Sequence, residues 1–275
     1  MRALTRRPQP DEPHVQWIEG ALDRPDSLAA LVEGADAVIH VAGVINAPDR
    51  ARFHAGNVAG TSAIISAAKG RGIRRFLHVS SLAAREPGLS DYGWSKAESE
   101  LVVEASDLDW TIVRPPAIYG PGDREMLELF RMAAKGVVLL PPGGRLSLIE
   151  VSDLARLMLD ILLAPESFGR TYEPDDGVAQ GWDHRDFARA LGQAVGRPIL
   201  PLSTPAALLR AASRIEAIAR PGRAKLTADR VRYFCHPDWV VSGHAFPPPD
   251  IWQPRVETRA GLKATADWYR AEGWL

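Results

Sequence analysis

The sequence predicts an α/β protein built on a doubly wound parallel sheet, with a small, mostly helical lobe toward its C-terminal end. Up to Pro115, short apolar runs alternate with helix-period segments. Strands that are apolar throughout, rather than at every second residue, belong to a parallel sheet covered on both faces. After Pro115 prolines and glycines cluster and helices take over.

Arg2–Thr5 and Val15–Glu19 read as the first strands, and Ser27–Val32 as a short helix. Ala37–Val41 (AVIHV) is a buried strand, followed by a long helix over Asp49–Lys69. Phe76–Ser80 (FLHVS) is again a strand. Tyr92–Ala105 is a helix with its apolar residues on one face, and Trp110–Val113 the next strand. Turn residues gather at Pro115–Asp123 and Pro141–Gly144. Val137–Leu140 and Ile149–Glu150 are strands of either part. Helices are expected over Val151–Leu163, His184–Val195, Pro205–Ala219 and Arg259–Glu272, with Pro247–Pro249 as an extended linker. The expected division is a sheet domain over 1–172 and a lobe over 173–275, interleaved with parts of 115–150.

With 275 residues, 46% of them hydrophobic, the chain buries a full core. A net charge of −1 calls for neither nucleic acid nor an anionic surface as general partner. Cys235 is the single cysteine, so disulfides and multi-cysteine metal sites are excluded and a cytoplasmic setting fits. No apolar run reaches the ~20 residues of a membrane span, and MRALTRRPQPDEP has no apolar core of a signal peptide.

The chemistry centres on Tyr92-Gly-Trp-Ser-Lys96. That spacing places a phenol and an ammonium one helical turn apart on one face. A cation so close favours the phenolate and tunes tyrosine for acid–base work near neutral pH. Ser80 and Ser81 end a strand, so their hydroxyls emerge at the carboxyl edge of the sheet, where open α/β sheets bind ligands.

These pieces resemble the extended short-chain dehydrogenase/reductase family, which includes nucleotide-sugar epimerases and dehydratases, 3β-hydroxysteroid dehydrogenases and dihydroflavonol reductases. The resemblance covers nearly the whole chain and implies a Rossmann-like fold with a C-terminal substrate lobe. Val38-Ile-His-Val-Ala-Gly43 is similar to the strand and turn beside the adenine and ribose, which assigns Val41, Ala42 and Gly43 to the cofactor. Asn57-Val-Ala-Gly-Thr61 resembles the family's Asn-x-x-Gly-Thr, with Asn57 on the cofactor side. His78-Val-Ser-Ser81 matches the serine strand, implying Ser81 as the catalytic serine and Ser80 as a cofactor neighbour. Tyr92 and Lys96 match the catalytic tyrosine and the lysine that also holds the nicotinamide ribose. Arg114-Pro-Pro-Ala-Ile-Tyr-Gly-Pro-Gly-Asp123 is close to the segment along the nicotinamide, through Pro115 and Pro116. Leu148-Ile-Glu-Val-Ser-Asp-Leu-Ala155 resembles a strand-to-helix junction, with Ser152 or Asp153 expected as helix cap.

The sequence departs from the family at its start. The Gly-x-x-Gly-x-x-Gly loop, with the strand and helix on either side, does not occur. The chain opens at what corresponds to the second strand, so a misassigned start is expected, with a genuine fragment as rival. Thr5, Arg6 and Arg7 stand where the family reads the adenosine ribose. Arginines there suit a 2′-phosphate, which favours NADP over NAD. Ala21 stands where relatives often carry an aspartate near the adenine, so that contact is lost here or moves to Asp23. Leu82-Ala-Ala after Ser81 lacks the acids of dehydratases and favours a plain reductase or dehydrogenase.

The remaining polar and aromatic residues read mainly as structural. His40 and His78 are core or edge histidines, and no set of residues has metal-ligand spacing. Trp182, Trp239, Trp252, Trp268 and Trp274 pin the small lobe, or line an apolar pocket. Pro205–Ala219 is amphipathic with Arg220 and Arg223 beyond it, and either packs on the lobe, covers a substrate or lies on a membrane. The function expected is hydride transfer between a nicotinamide and a carbinol or carbonyl of a small or lipophilic substrate. The rivals are a non-catalytic NADP(H)-binding subunit and a non-functional fragment. A homodimer through Asp49–Lys69 and Tyr92–Ala105 is implied by the family alone.

Overall fold

A computed structural model of the chain describes residues 1–219 and 226–275. The strands in chain order are β1 (Arg2–Thr5), β2 (Gln16–Glu19), β3 (Ala37–His40), β4 (Arg75–Val79), β5 (Asp109–Val113), β6 (Ala117–Tyr119), β7 (Val137–Leu140), β8 (Arg145–Leu146), β9 (Leu148–Glu150), β10 (Arg170–Tyr172), β11 (Trp182–Asp183), β12 (Leu200–Ser203) and β13 (Asp238–Trp239). The helices are α1 (Pro25–Leu31), α2 (Arg50–Phe53), α3 (Gly60–Gly70), α4 (Asp91–Glu104), α5 (Leu127–Ala134), α6 (Val151–Leu162), α7 (His184–Val195), α8 (Ala206–Ala219), α9 (Ala228–Phe234) and α10 (Thr258–Ala271). Two compact units form, Met1–Arg114 with Ile161–Tyr172, and Pro115–Asp160 with Glu173–Leu275.

The first unit holds two parallel sheets, β1-β2 and a four-stranded sheet in the order β10-β5-β4-β3. Among the described residues no ladder joins β1 to β3. β4 pairs on both sides and is buried at every position, as its continuous apolar run requires. Among the described residues β3 pairs only with β4, and its burial alternates. Leu28, Val38, Ile64, Phe76, Val103 and Ile112 form the core between sheet and helices.

Arg75 opens β4 and is buried. Its guanidinium donates to the carbonyls of Leu162 (2.7 Å), Asp109 (2.6 Å) and Ile161 (2.8 Å), and to the hydroxyls of Thr111 (2.9 Å) and Ser167 (3.1 Å). This spread of donors draws the 161–172 segment onto the sheet, where β10 pairs with β5.

The expected helix over Asp49–Lys69 is interrupted. Asp49 caps α2 by accepting from the Arg52 amide, and a π-helical stretch, His54–Ala59, separates α2 from α3. Such widened turns concentrate at functional positions. α4 begins where expected, with Ser90 Oγ accepting from the Gly93 amide at 3.0 Å.

The second unit packs α5, α7 and α10 around Tyr119, Phe130, Trp182, Leu191, Leu262 and Tyr269. β6 pairs with β9, β7 with β12, and β8 with both β11 and β13. Trp182 and Trp252 are buried, with indole N–H groups donated to Asp176 (2.8 Å) and the Asp153 carbonyl (3.2 Å). Trp268 and Trp274 pack against the same core.

One capping expectation is corrected. Glu150, not Ser152 or Asp153, caps α6, accepting from the amides of Ser152 (2.6 Å) and Asp153 (3.3 Å) and from the Ser152 hydroxyl. Asp153 is engaged elsewhere: its carboxylate accepts from the amides of Arg255 and Val256 (2.9 Å each) and from Arg156 (2.6 Å). A buried carboxylate with several donors fixes a chain crossing better than it fills a cap. α8 also departs from simple packing, because among its described residues only Ser213 is buried. Arg220 and Arg223 lie outside the described residues.

Gly93 is where α4 meets the turn that follows β4. A Cβ there would stand 2.7 Å from the Ala83 carbonyl oxygen. Gly93→Ala is expected to cost about 1–3 kcal/mol in urea unfolding; an unchanged midpoint would show that this contact can yield.

Candidate active site

The end of β4 delivers two serines. The Ser80 amide donates to the Val113 carbonyl at 2.7 Å, carrying the ladder one residue past the strand. Its hydroxyl is buried and has no hydrogen-bond partner among the described residues. Ser81 Oγ accepts from the Ala83 amide at 3.2 Å and caps the 3-10 turn Leu82–Arg85. Among the described residues the Ser81 proton has no acceptor, and it can be given to a ligand oxygen.

Tyr92 and Lys96 lie one turn apart on α4. Tyr92 is half-buried, with its ring centroid 6.2 Å from that of Phe53. Lys96 is buried and donates to the Val79 carbonyl at 2.8 Å. Burial lowers its pKa from 10.5 to about 8, against the pull of Glu100. Glu100 lies one turn further on and is clamped by Arg114 through bonds of 2.9 and 2.6 Å.

Asn57 joins the loop after β3 to α4. Its Oδ1 accepts from the Val44 amide (2.6 Å), and its Nδ2 donates to the Val44 carbonyl (2.9 Å) and Ser95 Oγ (2.8 Å). Ser95 in turn donates to the Tyr92 carbonyl at 2.8 Å. A Cβ on Gly43 would lie 3.1 Å from Asn57 Oδ1 and 4.0 Å from Lys96 Nζ, so glycine lets this loop approach closely.

His40 and His78 sit side by side in register, their rings stacked at 5.4 Å. His40 Nε2 is 3.0 Å from Thr61 Oγ1, and His78 Nε2 is 3.0 Å from Ser99 Oγ. Burial first, then Lys96, holds both imidazoles well below their ordinary pKa, His40 at about 3. They are neutral core groups beneath the lysine.

The structure thus brings together Gly43, Asn57 and Lys96, and sets Tyr92 on the same helix as Lys96. Val41 and Ala42 are exposed beyond β3. Arg6 and Arg7 are exposed at the end of β1, in a turn closed by Thr5 Oγ1 donating to the Arg7 carbonyl (2.6 Å). Pro115 is buried and Pro116 half-buried, and they open the second unit. Sequence reasoning missed Ser95 and Glu100. Glu100 repeats the four-residue step from Lys96, a readable signal, whereas the pairing of Ser95 with Asn57 leaves none in the sequence.

Residues 1–165 match the NAD(P)H-binding family. The chain belongs to that family, within the extended short-chain dehydrogenases/reductases, and is an NAD(P)-dependent oxidoreductase of that type. It is similar to a ceramide reductase of Caulobacter vibrioides, 36% identical over 286 residues that span 100% of this chain and 88% of that protein. A 3 beta-hydroxysteroid dehydrogenase/Delta 5-->4-isomerase of Mycobacterium tuberculosis is 26% identical, over 75% of this chain and 66% of that protein. The solved UDP-glucuronic acid 4-epimerase of Bacillus cereus, in complex with NAD, shares the fold with a TM-score of 0.71 at 17% identity, over 94% of this chain and 82% of that one.

Lys96 is charged below its pKa of about 8 and loses that charge above it. Turnover that needs the cation beside Tyr92 is therefore expected to fall as pH rises through about 8. Its signature is a falling alkaline limb in kcat/KM for carbonyl reduction. A profile flat to about pH 10, near an ordinary lysine's range, would contradict the role given to Lys96.

Proposed function

We propose that the chain is an NADP(H)-dependent reductase of a lipid ketone, with a ceramide-type lipid as its substrate. The observation that carries the chemistry is Lys96, buried on the Val79 carbonyl one turn from Tyr92, with Ser81 ending its own capping role with a spare proton. The substrate class rests on the ceramide reductase, whose similarity runs the whole length of this chain. The absence of an acid in Leu82-Ala-Ala supports reduction over dehydration.

In this reading Tyr92 gives its proton to the carbonyl oxygen, and Ser81 donates a hydrogen bond to the same oxygen. The Lys96 charge stabilises the phenolate that remains and binds ribose hydroxyls. A bound nicotinamide supplies the hydride that the carbonyl carbon takes, leaving an alcohol. The residues around Lys96 fit the nicotinamide-ribose end of such a cofactor: Ser80 Oγ is buried with no partner among the described residues, and Gly43 leaves the space that a side chain would fill. Arg6 and Arg7 would pair with the 2′-phosphate of NADP. The second unit would hold the substrate. A homodimer through α3 and α4 would cover the exposed Leu101, and a cytoplasmic setting suits the lone Cys235.

Tyr92→Phe is expected to lower turnover of a keto-ceramide with NADPH by roughly 100-fold or more while NADPH binding is kept. Unchanged turnover would remove Tyr92 as the acid, whereas NADPH binding with no turnover in the parent would favour the non-catalytic reading. Arg6→Ala with Arg7→Ala is expected to raise KM for NADPH about tenfold, the loss of a charge-assisted pair, with NADH kinetics little altered. An equal effect on both cofactors would sink the 2′-phosphate assignment.

A further inference from the structure

α8 turns its apolar face outward. Leu208, Ala212, Ile215 and Ala219 fall four, three and four residues apart and share one side of the helix, with Ile218 at its border. Leu208 is 60% exposed, Ile215 68% and Ile218 81%. The helix rests on its unit by the opposite side, where Ser213 is buried and Leu209 half-buried.

The strand leading into α8 repeats the pattern. β12 runs parallel to β7 with Leu200 opposite Val137 and Leu202 opposite Leu139, and all four side chains are exposed. Val138 and Leu140, the alternate residues of β7, are buried. Exposed apolar residues on both a sheet face and the helix that follows it in the chain exceed the scattered single residues of an ordinary surface.

The charge beside this strip is one-sided. Arg210 and Arg214 are exposed on the flank of α8. Arg220, Arg223 and Lys225 follow in the sequence, beyond the described residues, while Glu216 is the only acid between 205 and 225. The whole chain is close to neutral at −1, so this concentration is local.

We propose that α8 and the β7-β12 face form a docking surface for an anionic lipid bilayer. The helix lies in the plane of the interface with its apolar side among the acyl chains and its arginines at the headgroups. The proposed association is peripheral, and no helix among the described residues is long and apolar enough to cross a membrane. A second copy is a poorer occupant, because a symmetric contact through this face would bring Arg210 and Arg214 against their own equivalents. The inference stands on exposure and charge, and holds or fails whatever the substrate.

The test is co-sedimentation of the whole protein with vesicles of phosphatidylcholine alone and of phosphatidylcholine with phosphatidylglycerol. Binding is expected on the anionic vesicles, weakened by salt. Partitioning should fall at least about tenfold in Ile215→Glu with Ile218→Glu, and likewise in Arg210→Glu with Arg214→Glu. Both variants should keep the thermal midpoint of the parent and its turnover of a short-chain, water-soluble ketone. Failure of the parent to bind anionic vesicles overturns the proposal, as does binding indifferent to both variants. A dimer that Ile215→Glu with Ile218→Glu dissociates would give the surface to a second copy instead. Vesicle binding without reduction of keto-ceramide would leave this surface standing and remove the proposed substrate.

Discussion

An ammonium carried into the interior constrains everything around it. Lys96 is bonded to the Val79 carbonyl inside the nucleotide-binding unit, and a buried charge is costly unless its surroundings are arranged for it. The neighbouring histidines answer by staying neutral, each with a hydroxyl as partner. Glu100 supplies the opposing charge, and Arg114 keeps that carboxylate in place. The end of β5, the middle of α4 and the end of β4 are thereby fixed around one cation. The hydroxyls of Ser81 and Tyr92, the proposed reacting groups, sit on the strand end and the helix so fixed.

The sheet strands were legible because burial on both faces leaves an apolar run with no alternation, as in Phe76–Ser80. The Tyr92–Lys96 pair was legible because helical spacing is local. Long-range polar pairing was not. Asn57 meets Ser95 across 38 residues, and Arg75 reaches Ser167 across 92. Nothing in the neighbourhood of either residue announces its partner. The cap of α6 failed for a different reason: Glu150, Ser152 and Asp153 are all competent acceptors, and the tertiary demand for Asp153 at residues 255 and 256 decided between them. For α8 the amphipathic pattern was legible, but not which side faces out.

The second unit is closed by its own late segments. Asp153 receives the 255–256 amides, Arg156 donates to the Gln253 carbonyl at 2.6 Å, and Trp252 is buried with its indole on the Asp153 carbonyl. The start of α6 is therefore a fixed post to which the chain before α10 is tied. Tyr269 on α10 adds a hydrogen bond to the Asp123 carbonyl at 2.7 Å. A lobe with short strands and little sheet gains its shape from such crossings rather than from a continuous ladder.

The π-helical stretch His54–Ala59 amounts to one residue too many for the helix that contains it. Each residue turns an α-helix by about 100°, so losing a single codon there would restore regular winding and swing one end of the helix round against the other. Asn57 would then be carried away from Val44 and Ser95, or the Asp49 cap from its present seat. The local irregularity is thus a historical lock. A length change within that helix is therefore tied to the asparagine in a way that an exchange of one of its exposed side chains is not.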